Sequence, residues 1–209
     1  MKVLLVNGSP NERGCTYTAL REVADTLQKE AGIEAEIFWI GMKPVYGCIA
    51  CSRCRDVARC IFVNDCANEM LEKMQEADGV IVGSPVFYGG PNGALCTLLD
   101  RVFYAGAYKL AGKPAAAVVS CRRGGASAAF DRLNKYFTMS NMPLVTSQYW
   151  NQVHGFTPED VRKDVEGLQT MRTLARNMAY MLQCRQAAAE AGIPLPRREM
   201  ITPTNFIRG

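Results

Sequence analysis

Short, nearly unbroken aliphatic runs alternate along this chain with stretches whose apolar residues recur at helical spacing. Val3-Leu4-Leu5-Val6 and Gly79-Val80-Ile81-Val82-Gly83 are runs of the first kind, the pattern of parallel strands buried on both faces. The first strand is expected over 2–7, followed by a helix whose buried face carries Ala19, Leu20, Val23, Ala24 and Leu27. A second strand over 35–40 alternates in its first half, as an edge strand does. A short helix over 67–76 precedes the strand at 79–83, and Leu95, Leu98, Leu99, Val102 and Phe103 line the next helix. A fourth strand is expected over 114–120, a helix from Gly124-Gly125 to about Met139, and a fifth strand over 143–149. Thr157-Pro158-Glu159-Asp160 then starts the last long helix, with an N-cap and a proline at the first position. This alternation predicts an α/β three-layer sandwich around a five-stranded parallel sheet of order 2-1-3-4-5. One domain over 1–209 is expected, with a cysteine-rich loop at 48–60 and an extended arm at 192–209 that carries Pro194, Pro196 and Pro203.

Such a sheet binds its ligands outside the carboxyl ends of the strands, and two of those ends read Gly-Ser-Pro. Gly8-Ser9-Pro10-Asn11-Glu12-Arg13-Gly14-Cys15-Thr16-Tyr17-Thr18 leads into a helix, where backbone N–H groups and the dipole favour an anion. Ser9, Thr16 and Thr18 add hydroxyl donors. The loop lacks the Gly-Lys-Ser/Thr ending of a Walker A loop and is not G-x-G-x-x-G, so a terminal phosphate monoester suits it better than a dinucleotide. Pro85-Val86-Phe87-Tyr88-Gly89-Gly90 offers glycines for close approach to a flat ring beside apolar and aromatic contacts. Arg122-Arg123-Gly124-Gly125 brings cations and N–H donors to the same edge. Each loop also reads as an ordinary strand-to-helix turn with no ligand.

Composition narrows the classes. The 209 residues are 48% hydrophobic and 21% charged, with a net charge of +4, too little and too scattered for nucleic acid. No apolar stretch approaches the roughly 20 residues of a membrane span. The chain enters a strand almost at once, without a signal-peptide pattern, so a cytoplasmic protein is expected. Nine cysteines is many for that compartment, and an odd number excludes a complete set of internal disulfides. Cys48, Cys51, Cys54 and Cys60 fall within a span of thirteen residues. They can hold a [4Fe–4S] cluster, with Arg53, Arg55 and Arg59 offsetting a charge of about −2. Zinc and a loop of free thiols remain open alternatives.

On these motifs the chain resembles the flavodoxin-like NADPH-dependent FMN reductases, from Leu4 to about Leu182. The resemblance is carried by Asn7-Gly8-Ser9-Pro10 with Gly14 and Thr16, Gly83-Ser84-Pro85-Val86-Phe87-Tyr88, Asp100-Arg101 and the Gly124-Gly125 loop. The C-x2-C-x2-C-x5-C spacing looks like the compact motif of the iron–sulfur flavoproteins in that superfamily. The resemblance implies bound FMN, with Ser9, Pro10, Thr16, Tyr17 and Thr18 at its phosphate and ribityl chain. Pro85, Val86, Phe87, Tyr88 and Gly89 fall beside the isoalloxazine, and Arg122, Arg123, Gly124 and Gly125 near its polar edge. Relatives often carry Asn at the position of Cys15 and an acidic pair at Asp65-Cys66.

By the same resemblance the activity is hydride transfer from NAD(P)H to FMN, then electron delivery to a quinone, a nitro or azo compound, or another acceptor. The cofactor carries the chemistry, and no protein acid or base is required. A homodimer or homotetramer is expected, its partner subunit helping to close the flavin site. The rival reading is an electron carrier fed by ferredoxin through the cysteine loop; a third is a thiol-based redox sensor. His154, the single histidine, is expected to pack or cap. Tyr149 and Trp150 are candidates to cover the acceptor, and Met171, Met178 and Met181 to fill the core or an interface.

Overall fold

The computed structural model describes residues 1–199, 202 and 204. β1 (Lys2–Asn7) is followed by α1 (Cys15–Ala31), β2 (Glu34–Trp39), the single turn α2 (Cys54–Val57) and α3 (Ala67–Glu76). Then come β3 (Gly79–Phe87), β4 (Gly90–Pro91), α4 (Gly93–Leu110), β5 (Ala115–Cys121) and α5 (Ala126–Met139). β6 (Gln152–His154), α6 (Pro158–Lys163) and α7 (Val165–Glu190) complete the order. The long strands form one parallel path, β2-β1-β3-β5-β6, with β4 folded antiparallel onto the end of β3. Leaving that two-residue strand aside, this is the flavodoxin-like order expected from the alternating pattern.

Alternate residues of each central strand feed opposite layers, which is why their sequences are apolar throughout. Leu4 and Val6 of β1, with Ala115, Ala117 and Val119 of β5, join a core under α3, α4 and α5. Val3 and Leu5, with Ala116 and Val118, join a second core under α1 and α7, where Leu20, Leu174 and Met178 pack. Met171 and Met178 are fully buried there, and Met181 lies against the same cluster. β2 is half-buried along most of its length, as its edge position requires.

The end of the sheet departs from the expectation. Within 143–149 only Leu144 bridges β5, opposite Ala115, and the strand forms later, at Gln152–His154. Side chains explain the detour. Buried Asn151 donates its amide to Ala117 O at 3.0 Å and accepts from the Ser147 hydroxyl at 2.6 Å. It thus replaces ladder hydrogen bonds over the polar Thr146-Ser147-Gln148 stretch. The last helix is likewise divided. Thr157 caps α6 with a reciprocal Asp160 bond as expected, but the helix stops at Asp164, whose carboxylate caps α7 through Gly167 N at 2.9 Å. The strand at 79–83 continues to Phe87, so Ser84 to Phe87 are strand rather than loop. Residues 193–199 form neither helix nor strand, and most of the remaining expected arm lies outside the described residues. No described helix is long and apolar enough to cross a membrane.

Candidate functional site

All the parallel strands release their loops at one rim, and a hydrogen-bonded scaffold fixes where those loops sit. Asn7, at the end of β1, donates to Glu12 O at 2.8 Å and accepts from Ser9 N at 3.2 Å. The Ser9 hydroxyl accepts from Asn11 N, and the Trp39 indole at the end of β2 donates to Ser9 O at 2.8 Å. The loop over 8–14 is therefore held from both strands. α1 starts at Gly14 with no side-chain cap and no acidic residue in its first turn, leaving N–H donors free for an anion. α5 starts the same way at Gly125.

Ser84 of the second Gly-Ser-Pro turn and Asn92, which is not among the site residues expected from sequence, join the first loop to the second. Ser84 Oγ accepts from Asn92 N at 2.9 Å, and the Asn92 amide donates to Gly8 O at 2.7 Å. Asn92 also caps α4 through Ala94 N. Its place before Gly93 and an apolar helical run was the available signal. Gly8 cannot carry a side chain, because a Cβ there would lie 2.4 Å from Leu95 Cδ2 and 2.7 Å from Gly83 O.

Between β3 and β4 the chain turns through Tyr88 and Gly89, at φ 50° and 77°. Two successive positive φ angles suit a tight hairpin, yet a tyrosine there is strained. Its ring is fully exposed, and Phe87 is half-exposed. The third loop touches this hairpin: a Cβ on Gly125 would lie 2.7 Å from Gly89 Cα and 2.9 Å from Val86 Cγ1. Thr16 is buried beside the same rim, its hydroxyl 2.8 Å from Ser120 Oγ. Arg122 and Arg123 are exposed.

The structure thus brings Ser9, Thr16, Val86, Gly89 and Gly125 to one edge, and it gives two other candidates local contacts of their own. Thr18 bonds back to Gly14 O at 3.1 Å. Tyr17 faces a shallow hollow shared with Arg21 and Trp39 next to β2. Cys15 lies against Gly155 O at 3.7 Å, and burial pushes its thiol up, keeping it neutral beside the anion-favouring turn. His154 donates its backbone N–H to Asp164 at 2.6 Å, with its ring half-exposed. Tyr149 and Trp150 pack as a tilted pair near the end of the sheet, with ring centroids 5.1 Å apart.

The cysteine segment makes a second centre. Cys48, Cys51, Cys54 and Cys60 line one cavity with Phe62, Arg101 and Tyr104. Between the cysteines the backbone turns through Ala50, Ser52 and Ala58 at φ 53°, 58° and 53°. Left-handed non-glycine residues carry strain, and left-handed Ser52 is followed by right-handed Arg53, a backbone alternation that recurs at anion and iron–sulfur sites. No three described His, Cys, Asp or Glu side chains close on a single ion. Four thiols lining one cavity are a donor set that suits a [4Fe–4S] cluster.

Arg53, Arg55 and Arg59, the cations expected to offset cluster charge, are exposed. The buried cation at the cavity is Arg101 of α4, 2% exposed, whose Nε donates to Cys60 Sγ at 3.2 Å. Of the family motif Asp100-Arg101, Arg101 turns to the cysteine loop, and Asp100 accepts from the Tyr136 hydroxyl on the helix surface. The rest of the guanidinium bonds Asp65, Tyr46 O and Phe62 O. Burial alone would raise the Asp65 carboxyl, but Arg101 and the Ala67 and Tyr46 N–H groups hold it below its ordinary value.

Comparison with known proteins agrees with this geometry. The family model for NADPH-dependent FMN reductase matches residues 1–157. An iron-sulfur flavoprotein of Methanocaldococcus jannaschii is 33% identical over 193 residues, covering 88% of this chain and 98% of that protein. One from Methanosarcina thermophila is 30% identical over 190 residues, covering 89% and 97%. Among solved structures, RosB with a bound 8-demethyl-8-formylriboflavin-5'-phosphate superposes with a TM-score of 0.69 at 16% identity, covering 100% of this chain and 94% of that one. With a matched family model over three quarters of its length and two relatives aligned nearly end to end, this chain belongs to the NADPH-dependent FMN reductase family.

Proposed function

We propose that this protein is an FMN-dependent oxidoreductase whose cysteine loop holds a [4Fe–4S] cluster, so that electrons pass between a nucleotide at the sheet rim and a metal centre beside α4. The observation that carries the reading is the convergence of Cys48, Cys51, Cys54 and Cys60 on one cavity that also holds a buried arginine. When bound, FMN accepts a hydride or single electrons and the cluster relays electrons singly.

The chain's own residues bind and orient. The uncapped start of α1, with Ser9, Pro10 and the Thr16 hydroxyl, receives the phosphate; Thr16 can donate to it while accepting from Ser120. Pro85 to Gly89 and Gly124-Gly125 flank the ring, and Arg122 and Arg123 sit where negative charge at its polar edge needs offsetting. Exposed Tyr88 is placed to cover the ring or to meet a second subunit of a homodimer or homotetramer.

The donor is NAD(P)H if the rim takes a nicotinamide over the ring, and a one-electron carrier such as ferredoxin if the cluster is the port. The iron–sulfur flavoprotein names of the full-length relatives favour the second route. Anaerobic protein should contain about four irons and four sulfides per chain. Its flavin absorbance should bleach faster with reduced ferredoxin than with NADPH or NADH. Protein that binds FMN yet takes up no iron on reconstitution overturns the cluster; rapid bleaching by NADPH alone restores the nicotinamide route.

A further inference from the structure

Cys60 stands apart from the other three cysteines of the loop. Its backbone is gripped on both sides by buried Asn68, which accepts from Cys60 N at 2.8 Å and donates to Cys60 O at 3.0 Å. Its sulfur alone receives a charged N–H, from Arg101 Nε at 3.2 Å. Cys48 and Cys51 are exposed, and Cys54 packs at the core margin with its thiol 3.9 Å from the Tyr104 carbonyl. Arg101 is buried away from solvent. All three of its nitrogens donate, to Cys60, to Asp65 and to the carbonyls of Tyr46 and Phe62, with the Phe62 ring 5.4 Å from its carbon.

We propose that Arg101 is a positioning residue for the metal centre, holding the Cys60 sulfur and setting the ease of cluster reduction, with Asp65 as the counterweight that limits its effect. The inference rests on the proposed [4Fe–4S] reading. One-electron reduction adds one negative charge to the cluster and its thiolates, with no bond broken and no proton moved. A cation hydrogen-bonded to a ligating sulfur stabilises the more negative state, and hydrogen bonds to sulfur and net charge are the protein's levers on such potentials. Removing the cation should therefore make reduction harder. Removing the Asp65 charge, which partly cancels the cation, should make it easier. A purely structural role for the pair predicts no such opposition of sign, because either loss would only loosen the same loop.

The test is a one-electron reductive titration of anaerobic holoprotein with dithionite, read by electron paramagnetic resonance and visible absorbance, on wild type, Arg101→Gln, Arg101→Lys and Asp65→Asn. Iron content and FMN content show that each variant is folded and loaded. At the potential that half-reduces the wild type, Arg101→Gln should lower the reduced-to-oxidised ratio about tenfold, about 59 mV for a one-electron couple. Asp65→Asn should raise the ratio, and Arg101→Lys, which keeps the charge, should stay within about threefold of wild type. Loaded variants whose potentials are unchanged, or which shift in the same direction, overturn the inference and leave the proposed function standing. Wild-type protein with no iron overturns both. If Arg101→Gln does not retain iron, Asp65→Asn still decides: no rise in its reduced-to-oxidised ratio overturns the inference.

Discussion

Gly125 gives the sharpest test of whether the second and third loops share a ligand. It has φ +90°, and a Cβ there would lie 2.7 Å from Gly89 Cα and 2.9 Å from Val86 Cγ1. In Gly125→Ala the left-handed backbone costs about 1–2 kcal/mol, and forcing a methyl against a neighbouring backbone about 1–3 kcal/mol more. Because Gly89 sits in the rim hairpin and Val86 only at the end of β3, at the margin of the core, the hairpin will part from α5 before the sheet distorts. The burden then falls on the ligand as much as on folding. We expect FMN to bind about ten- to a hundredfold more weakly, since each 1.4 kcal/mol is a factor of about ten, with melting lowered by a few degrees. Gly93→Ala is the control, because nothing lies within 4 Å of its Cβ position; it should change stability by under about 0.5 kcal/mol. Fluorescence-quenching titration with FMN and thermal melting of the apoprotein read the two effects. Wild-type affinity and wild-type melting in Gly125→Ala would refute the close approach of the loops.

Two further predictions concern the scaffold. Thr157→Ala removes the hydroxyl that accepts from Asp160 N at 3.3 Å; it should cost about 1 kcal/mol and lower the melting temperature by about 2–4 °C, and unchanged melting would remove the cap from the account. Glu36 accepts from Lys2 and Lys73, each at 2.6 Å, and hydrogen bonds from both ammonium groups hold its carboxyl below the ordinary value. The unfolded chain therefore binds that proton more readily, so the interaction stabilises the fold above the ordinary carboxylate pKa of about 4.3 and is lost as pH falls through the lower folded value. Denaturant melts should show Glu36→Gln less stable by up to about 1 kcal/mol at neutral pH, with a smaller gap in acid; a gap that grows on acidification reverses the sign and refutes the reasoning.

Sequence by itself determined the layers and the rim of this protein. Val3 to Val6 and Ala115 to Val119 are apolar at every position because both faces of a central parallel strand are buried, and that pattern, with its helical intervals, is local. Gly-Ser-Pro and Gly-Gly turns likewise announce their positions, since chain geometry and helix ends impose them over a few residues. Tertiary structure decided what depends on distant partners. The last strand moved from 143–149 to Gln152–His154 because buried Asn151 and Ser147 outcompete the ladder with their own hydrogen bonds. The helix at 158 broke at Asp164 because its carboxylate serves α7 and β6 at once. Arg101 was legible only as part of a motif; its selection of Cys60 and Asp65 required α4 to lie along the cysteine loop, bringing together residues 41 and 36 positions apart. Periodicity reports what a segment buries, whereas the partner of a buried charge is fixed by which segments the fold lays side by side.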